Sequence, residues 1–163
     1  MPSIAKGFAG LAVAAALSLP ASAQGVITEK NISLTLAQTI ANAALAQCQS
    51  MGFKVAVTVL DRGGHALVML RDERSGLHTA EGSDRKAFTA RTFSQPSADF
   101  VKRLADRPDT IGSLQYTRVL ALGGGLPIKA GNEVIGAVGV SGSPGKDDVC
   151  SQAGIDKVAD QLK

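Results

Sequence analysis

From residue 34 onwards the apolar positions change period several times, and each change marks an element. Leu36, Ile40, Ala43, Ala44 and Cys48 recur at helical spacing and Met51 continues the stripe, so the segment predicts an amphipathic helix of about four turns. Thr35 and Gln38 offer a T-x-x-Q capping box at its start, and Gly52 suits the position just past its end. Between Phe53 and Leu60 the period becomes two: Phe53, Val55, Val57 and Val59 share one face, opposite Lys54, Ala56, Thr58 and Leu60. The second face is only partly polar, which predicts a strand covered on both sides. Asp61-Arg62-Gly63-Gly64 supplies turn residues, and His65 to Arg71 returns as the second strand of a hairpin.

Thr79 to Phe93 reads as a helix despite Gly82, with Ala80, Ser83, Ala87, Thr89 and Ala90 forming a face of small residues. Such a face admits close approach by another backbone, a second subunit or a flat ligand; packing against the sheet is the plainest of these readings. Ser97 to Ala105 predicts a further short helix capped by Ser97, with Phe100, Val101 and Leu104 inward and Arg107-Pro108-Asp109 ending it. Three strands follow, Arg118 to Leu122, Gly125 to Ala130 and Glu133 to Val140, the last two joined by a turn at Gly131-Asn132. A final helix runs through Leu162, capped by Asp147 or Asp148, with Val149 or Cys150, Ala153, Ile155 or Val158, and Leu162 inward. Hairpin-linked strands with helices in separate blocks argue an α+β fold with a mainly antiparallel sheet, not a parallel nucleotide-binding sheet.

The first residues change the picture of where this domain works. Lys6, the apolar stretch from Gly7 to Leu19 and the small residues of Pro20-Ala21-Ser22-Ala23 predict a secretory signal peptide over residues 1–23, followed by one domain over 24–163. The apolar stretch is too short for a stable membrane span, so the expected location is periplasmic or secreted, with no span after cleavage. Cleavage removes one lysine and no acid, taking Lys+Arg from 17 to 16 against 14 acidic residues. That mild charge, with one tyrosine and no tryptophan, excludes nucleic acid as the expected partner. In an oxidising compartment Cys48 and Cys150 can pair, or remain as two buried thiols; a count of two leaves both open.

The run from Leu120 to Asp148, LALGGGLPIKAGNEVIGAVGVSGSPGKDD, contains a Gly/Ser loop opening onto a helix. It fails as a triphosphate loop, because Val140 stands where the first glycine belongs and Asp147 follows Lys146 in place of Ser or Thr. A weaker anion site at Ser141, Gly142, Ser143 and Gly145 competes with a tight strand-to-helix connection, and Asp147 and Asp148 oppose the anion. The two histidines, His65 and His78, cannot build a multi-histidine zinc site, although an axial haem ligand needs only one. G-x-S-x-G, H-E-x-x-H and C-x-x-C are all absent. Arg85, Lys86 and Arg91 offer donors for carboxylates or propionates, against the ordinary reading of solvated helix charges.

Taken together, the blocks LTLAQTIANAAL, VAVTVLDRGGHALVMLRDERSG, RKAFTARTF and GGGLPIKAGNEVIGAVGVSGSPGKDDVCSQAGI resemble the haem-binding GlcG/HbpS family, also called the haem-degrading domain family, over nearly all of the mature chain. The resemblance implies a profilin-like α/β/α sandwich, a five-stranded antiparallel sheet with helices on both faces, often assembled into homo-oligomers. It also implies haem or a related tetrapyrrole as ligand, and makes the K-A-x-T-A match (Lys86, Ala87, Thr89, Ala90) the ligand-facing surface. Thr89 is then an oxygen contact to iron, with His78 or His65 as alternative axial ligands and Arg85 and Lys86 as cofactor-binding cations. An E-x-x-E iron motif is absent. The leading expectation is an exported haem-binding protein; an enzyme acting on haem or a small carboxylate, and a non-catalytic accessory subunit, are the competing classes.

Overall fold

The computed structural model describes residues 25–163, and in them Ser33, not Thr35, caps the first helix. Ser33 holds an extended backbone, and its Oγ accepts from the Leu36 amide at 3.2 Å, while Thr35 lies inside α1 (Leu34–Ser50). Gly52 follows the helix with φ of +83°, the left-handed conformation that glycine adopts without a Cβ penalty. The expected signal peptide lies outside the described residues.

Strands β1 (Ala56–Asp61) and β2 (Ala66–Arg71) form the hairpin, and β3 (Gly125–Ala130) and β4 (Glu133–Ser141) form a second one around Gly131. The hairpins join through antiparallel β1 and β4, so the sheet order is β2-β1-β4-β3. Period-two patterning then decides what each face touches. Val57, Val59, Val138 and Val140 enter one core with Ile40, Ala44 and Cys48 of α1 and Cys150 of α4 (Asp147–Asp156). On the opposite face Leu60 and Ala137 pack against Ala87 and Ala90 of α2 (Thr79–Phe93). Helices therefore cover both faces of the sheet. α3 (Ser97–Asp106) leans on α2 through Phe93 and Phe100, whose rings stack at 4.4 Å between centroids.

The small-residue face of α2 is used for sheet packing. Gly139 lets β4 run against the α2 backbone, since a Cβ there would collide with the Ser83 carbonyl and the Ala87 amide. Thr58 and Ser83 hydroxyls meet at 2.8 Å across the same interface, so both polar groups are satisfied within the layer.

Among the described residues the sheet has four strands, not five. Arg118 to Leu122 forms no strand: Arg118 sits in a turn, and side chains of α2, which lies alongside, take the backbone groups of Val119 and Leu120. Two expected caps also differ. Ser97 does not cap α3: its buried Oγ accepts from the Gly125 amide at 2.8 Å, fastening the outer edge of β3. Asp147 and Asp148 open α4 without capping it, and the helix ends at Asp156, before a 3-10 turn at Ala159–Gln161. Cys48 and Cys150 form a disulfide between the end of α1 and the start of α4, with Cα atoms 5.5 Å apart. No helix among the described residues is long and apolar enough to cross a membrane.

Asp72 ties the β2 exit to α1. The Gln49 amide donates to its carboxylate at 3.1 Å, the Arg74 backbone N–H also donates, and Lys54 approaches to 3.3 Å. These contacts, the Gln49 hydrogen bond foremost, hold the carboxyl below its ordinary value of 3.8. A carboxyl depressed in the folded state stabilises it above the unfolded pKa, and the contribution disappears as pH falls through the lower folded value. Asp72→Asn is therefore expected to flatten the stability profile below about pH 4. Urea midpoints measured across that range for both proteins check it; parallel profiles would refute the assignment.

Candidate functional site: a cleft between α2 and the Gly/Ser loop

Two adjoining cavities, of about 370 and 220 Å³, open between the first half of α2, the Leu120–Gly123 segment and the loop from Ser141 to Gly145. His78, Leu122 and Ser141 line both, so the two form one cleft. His78 precedes α2 in the N-cap position, yet its side chain makes no capping bond. The imidazole instead lies over Gly76, where a Cβ would stand 2.9 Å from its Cε1. Gly82 serves the same end one turn on: a Cβ there would fall 2.6 Å from Ser141 Oγ, so glycine is what lets α2 meet the end of β4 at the cleft.

Lys86 forms part of the floor and is buried. Its Nζ donates to Asp147 Oδ2 at 2.7 Å and to the Val140 carbonyl at 3.2 Å. The other oxygen of Asp147 accepts from both the amide and the hydroxyl of Ser143, at 2.9 and 2.7 Å. This answers the anion-site reading of the loop: the chain's own carboxylate already takes the donors that an external anion would need. The loop is a strand-to-helix connection held by Asp147. The Lys86 charge is neutralised in place, because separating a buried pair leaves an uncompensated charge behind.

Arg85 lies at the edge of the cleft. One guanidinium nitrogen donates to Glu81 at 2.9 Å and another to the Val119 carbonyl at 2.8 Å, while its buried Nε has no protein partner. Thr89 stands outside the cleft lining and is fully buried. Its Oγ1 accepts from the Leu120 amide at 2.8 Å and lies 2.9 and 3.2 Å from the carbonyls of Arg85 and Leu120. An iron contact there would require these bonds to break. His65 is on the β1–β2 hairpin beside Asp61, its side chain 83% exposed, and does not line the cleft. Arg91 spends its Nε on the Arg62 carbonyl at 2.7 Å.

The fold thus assembles His78, Arg85 and Lys86 and leaves Thr89 and His65 apart. Ser141, a member of the weaker anion-site reading, lines the cleft; so do Leu120, Leu122 and Asp148, which the sequence marks as ligand residues only through the glycine-rich run that contains them. Among the described residues no group of three or more His, Cys, Asp or Glu side chains could hold a metal ion. A metal brought by a ligand, needing one imidazole, is the arrangement this donor set fits.

The family model described as "Haem degrading protein HbpS-like" matches residues 32–156, which include every element of the cleft. The chain belongs to this HbpS-like family. A relative from Citrobacter freundii, described as an uncharacterized 15.0 kDa protein in the dhaT-dhaS intergenic region, is 33% identical over 120 residues, covering 72% of this chain and 84% of the relative. A double mutant of Streptomyces reticuli HbpS superposes with a TM-score of 0.78 at 32% identity, over 87% of this chain and 97% of that one. Klebsiella pneumoniae protein ORFY reaches the same TM-score at 28% identity, over 83% of this chain and 95% of its own. Within the HbpS-like family the match spans the α2 helix and the Gly/Ser loop together, so the cleft is built from family sequence throughout.

Proposed function

We propose that the protein binds haem or a related tetrapyrrole in this cleft, with His78 supplying the axial nitrogen to iron. The observation that carries the reading is the placement of His78: an exposed imidazole, free of capping duty, shared by both halves of the cleft. A neutral imidazole nitrogen is an effective ligand for haem iron, and the leucines at 120 and 122 with Pro144 offer apolar surface to a macrocycle. The family description supports haem as the ligand class. Arg85 is the cation for an acidic substituent, since its partner Glu81 is exposed and exchangeable whereas Lys86 is buried and committed to Asp147.

We also assign the protein to the periplasm or the exterior. The buried disulfide supports that location, because such bonds persist in oxidising compartments. Assembly of identical chains completes the proposal, supported by the exposed apolar side chains of Ile111 and Leu114 on the 3-10 segment Pro108–Gln115 and of Tyr116 just after it.

Titration of the mature protein with haemin is expected to give a saturable Soret shift. His78→Ala is expected to move that maximum and to weaken binding at least tenfold, which is about 1.4 kcal/mol. His65→Ala is expected to leave both unchanged. A linear response matching free haemin would overturn the haem reading; an unaltered spectrum in His78→Ala would overturn the ligand assignment alone.

A further inference from the structure

We propose that Leu120–Gly123 is a hinged wall of the cleft and that Thr89 is its latch, a positioning residue that controls ligand entry and exit without touching the ligand. The inference rests on the cleft being the ligand site, but the latch itself is a property of the ligand-free protein.

The wall belongs to no strand and pairs with none. Leu122 N–H turns back to the Leu120 carbonyl within the wall, and just before it Val119 N–H goes to the Tyr116 carbonyl, so both bonds are local. Its attachments to the domain fall at its two ends. At the far end Gly124 is fixed on three sides: its amide donates to Asp148 at 2.7 Å, and its carbonyl accepts from the Val140 amide at 2.9 Å and the Ser151 hydroxyl at 2.8 Å. Gly124 also has φ of +115°, and a Cβ would meet the Val140 carbonyl at 2.7 Å, so this end is a post that cannot shift. At the near end the attachments are side chains of α2. Thr89 Oγ1 bonds the Leu120 amide and faces its carbonyl, as a partner strand would, and Arg85 takes the carbonyl of Val119. Further back, Arg118 forks onto Asp84 at 2.7 and 3.0 Å, bonds the Gly64 carbonyl and stacks over Phe88.

Between the latch and the post sits Leu122, 54% exposed and lining both cavities. Val119 is anchored by its buried side chain, but Leu120 to Leu122 are held by a few side-chain bonds, and such a stretch opens locally at far lower cost than a laddered strand, because few contacts must break together. Opening there moves the Leu120 and Leu122 wall away from α2 while β4 and the Gly/Ser loop stay in place, which widens the cleft without disturbing its floor. The hydroxyl of Thr89 is what such motion must release, and its complete burial makes it unavailable to a ligand in the closed state.

The decisive variant is Thr89→Val, which keeps the shape and removes the hydroxyl. In the ligand-free protein, hydrogen exchange at the Leu120 and Leu122 amides is expected to accelerate roughly tenfold or more, while amides of β1 and β4 keep their rates. Thr89→Ser restores slow exchange. Haemin association and dissociation both quicken in Thr89→Val, and the Soret maximum of the complex stays where it is. Arg118→Met, which frees the wall at a point outside the cleft, is expected to speed the same amides and serves if Thr89→Val does not fold. Unchanged exchange at Leu120 in either folded variant overturns the latch. A shifted Soret maximum in Thr89→Val overturns it as well, since that marks a direct bond to iron. Failure of the native protein to bind haemin defeats the tetrapyrrole reading and leaves the exchange result to decide the latch.

Discussion

Replacing both cysteines by alanine is expected to lower the unfolding free energy by about 4 kcal/mol, a large share of the roughly 5–15 kcal/mol available to a domain of this size. Cys48 and Cys150 are separated by 102 positions, so the bridge closes most of the described chain into one loop and withdraws much conformational freedom from the unfolded state. Both residues are fully buried, and Ser143 Oγ lies 3.2 Å from Cys48 Sγ. The bridge therefore backs the loop whose Ser143 hydroxyl and amide bind Asp147, one residue from the Lys86 floor of the cleft. Urea unfolding of the oxidised protein and the Cys48→Ala, Cys150→Ala double variant measures the effect. A difference under about 1 kcal/mol would show that the bridge constrains little beyond what α1 and α4 packing already secures.

Gly139→Val is expected to cost at least about 3 kcal/mol, because the added side chain has no direction in which to relax. The colliding groups are backbone atoms of Ser83 and Ala87, held by the helical bonds of α2, so the whole helix must lift from the sheet. Flexible side chains could yield; a helix backbone cannot. Since α2 carries Lys86 and Arg85 and follows directly from His78, the same substitution is expected to disrupt the cleft in any molecules that remain folded. Gly131→Ala is the control: Gly131 has a left-handed φ of +60° but nothing within 4 Å of an added Cβ, so it reports conformational strain alone, about 1 kcal/mol. Chemical unfolding of the two variants separates the mechanisms, and equal losses would refute the packing argument.

Much of the fold is legible locally. Period-two alternation in β1 and the small-residue face of α2 both depend on side chains within a few positions, where backbone geometry sets direction directly. The α2 boundaries at Thr79 and Phe93 match the pattern, and Gly52 and Gly131 take the left-handed conformations their positions called for. The capping errors have a common cause. Ser33 and Thr35 are both competent caps, and which is used depends on where the preceding chain turns extended. Ser97 and Asp148 have capping chemistry but spend it on Gly125 and Gly124, partners far along the chain.

The site was legible in part for the same reason. His78, Arg85 and Lys86 stand together on one helix and its entry, so a sequence that specifies α2 brings them near one another. Thr89 shares that helix but faces the Leu120 segment, and its hydroxyl does a strand's work there. The apolar run at 118–122 has strand composition, yet a strand needs a neighbour with free backbone groups, and α2 offers side chains only.

By itself, then, the sequence determined the helices and hairpins, their apolar faces, the α+β class and the glycines at turns and helix ends, because each follows from backbone geometry over a few residues. Tertiary structure alone decided that Cys48 meets Cys150, that Asp147 neutralises Lys86, and that a fifth apolar run becomes the wall of a cleft rather than a strand. Those outcomes depend on which faces meet across the layers, and a contact between residues 61 or 102 positions apart leaves no periodic trace in the chain between them.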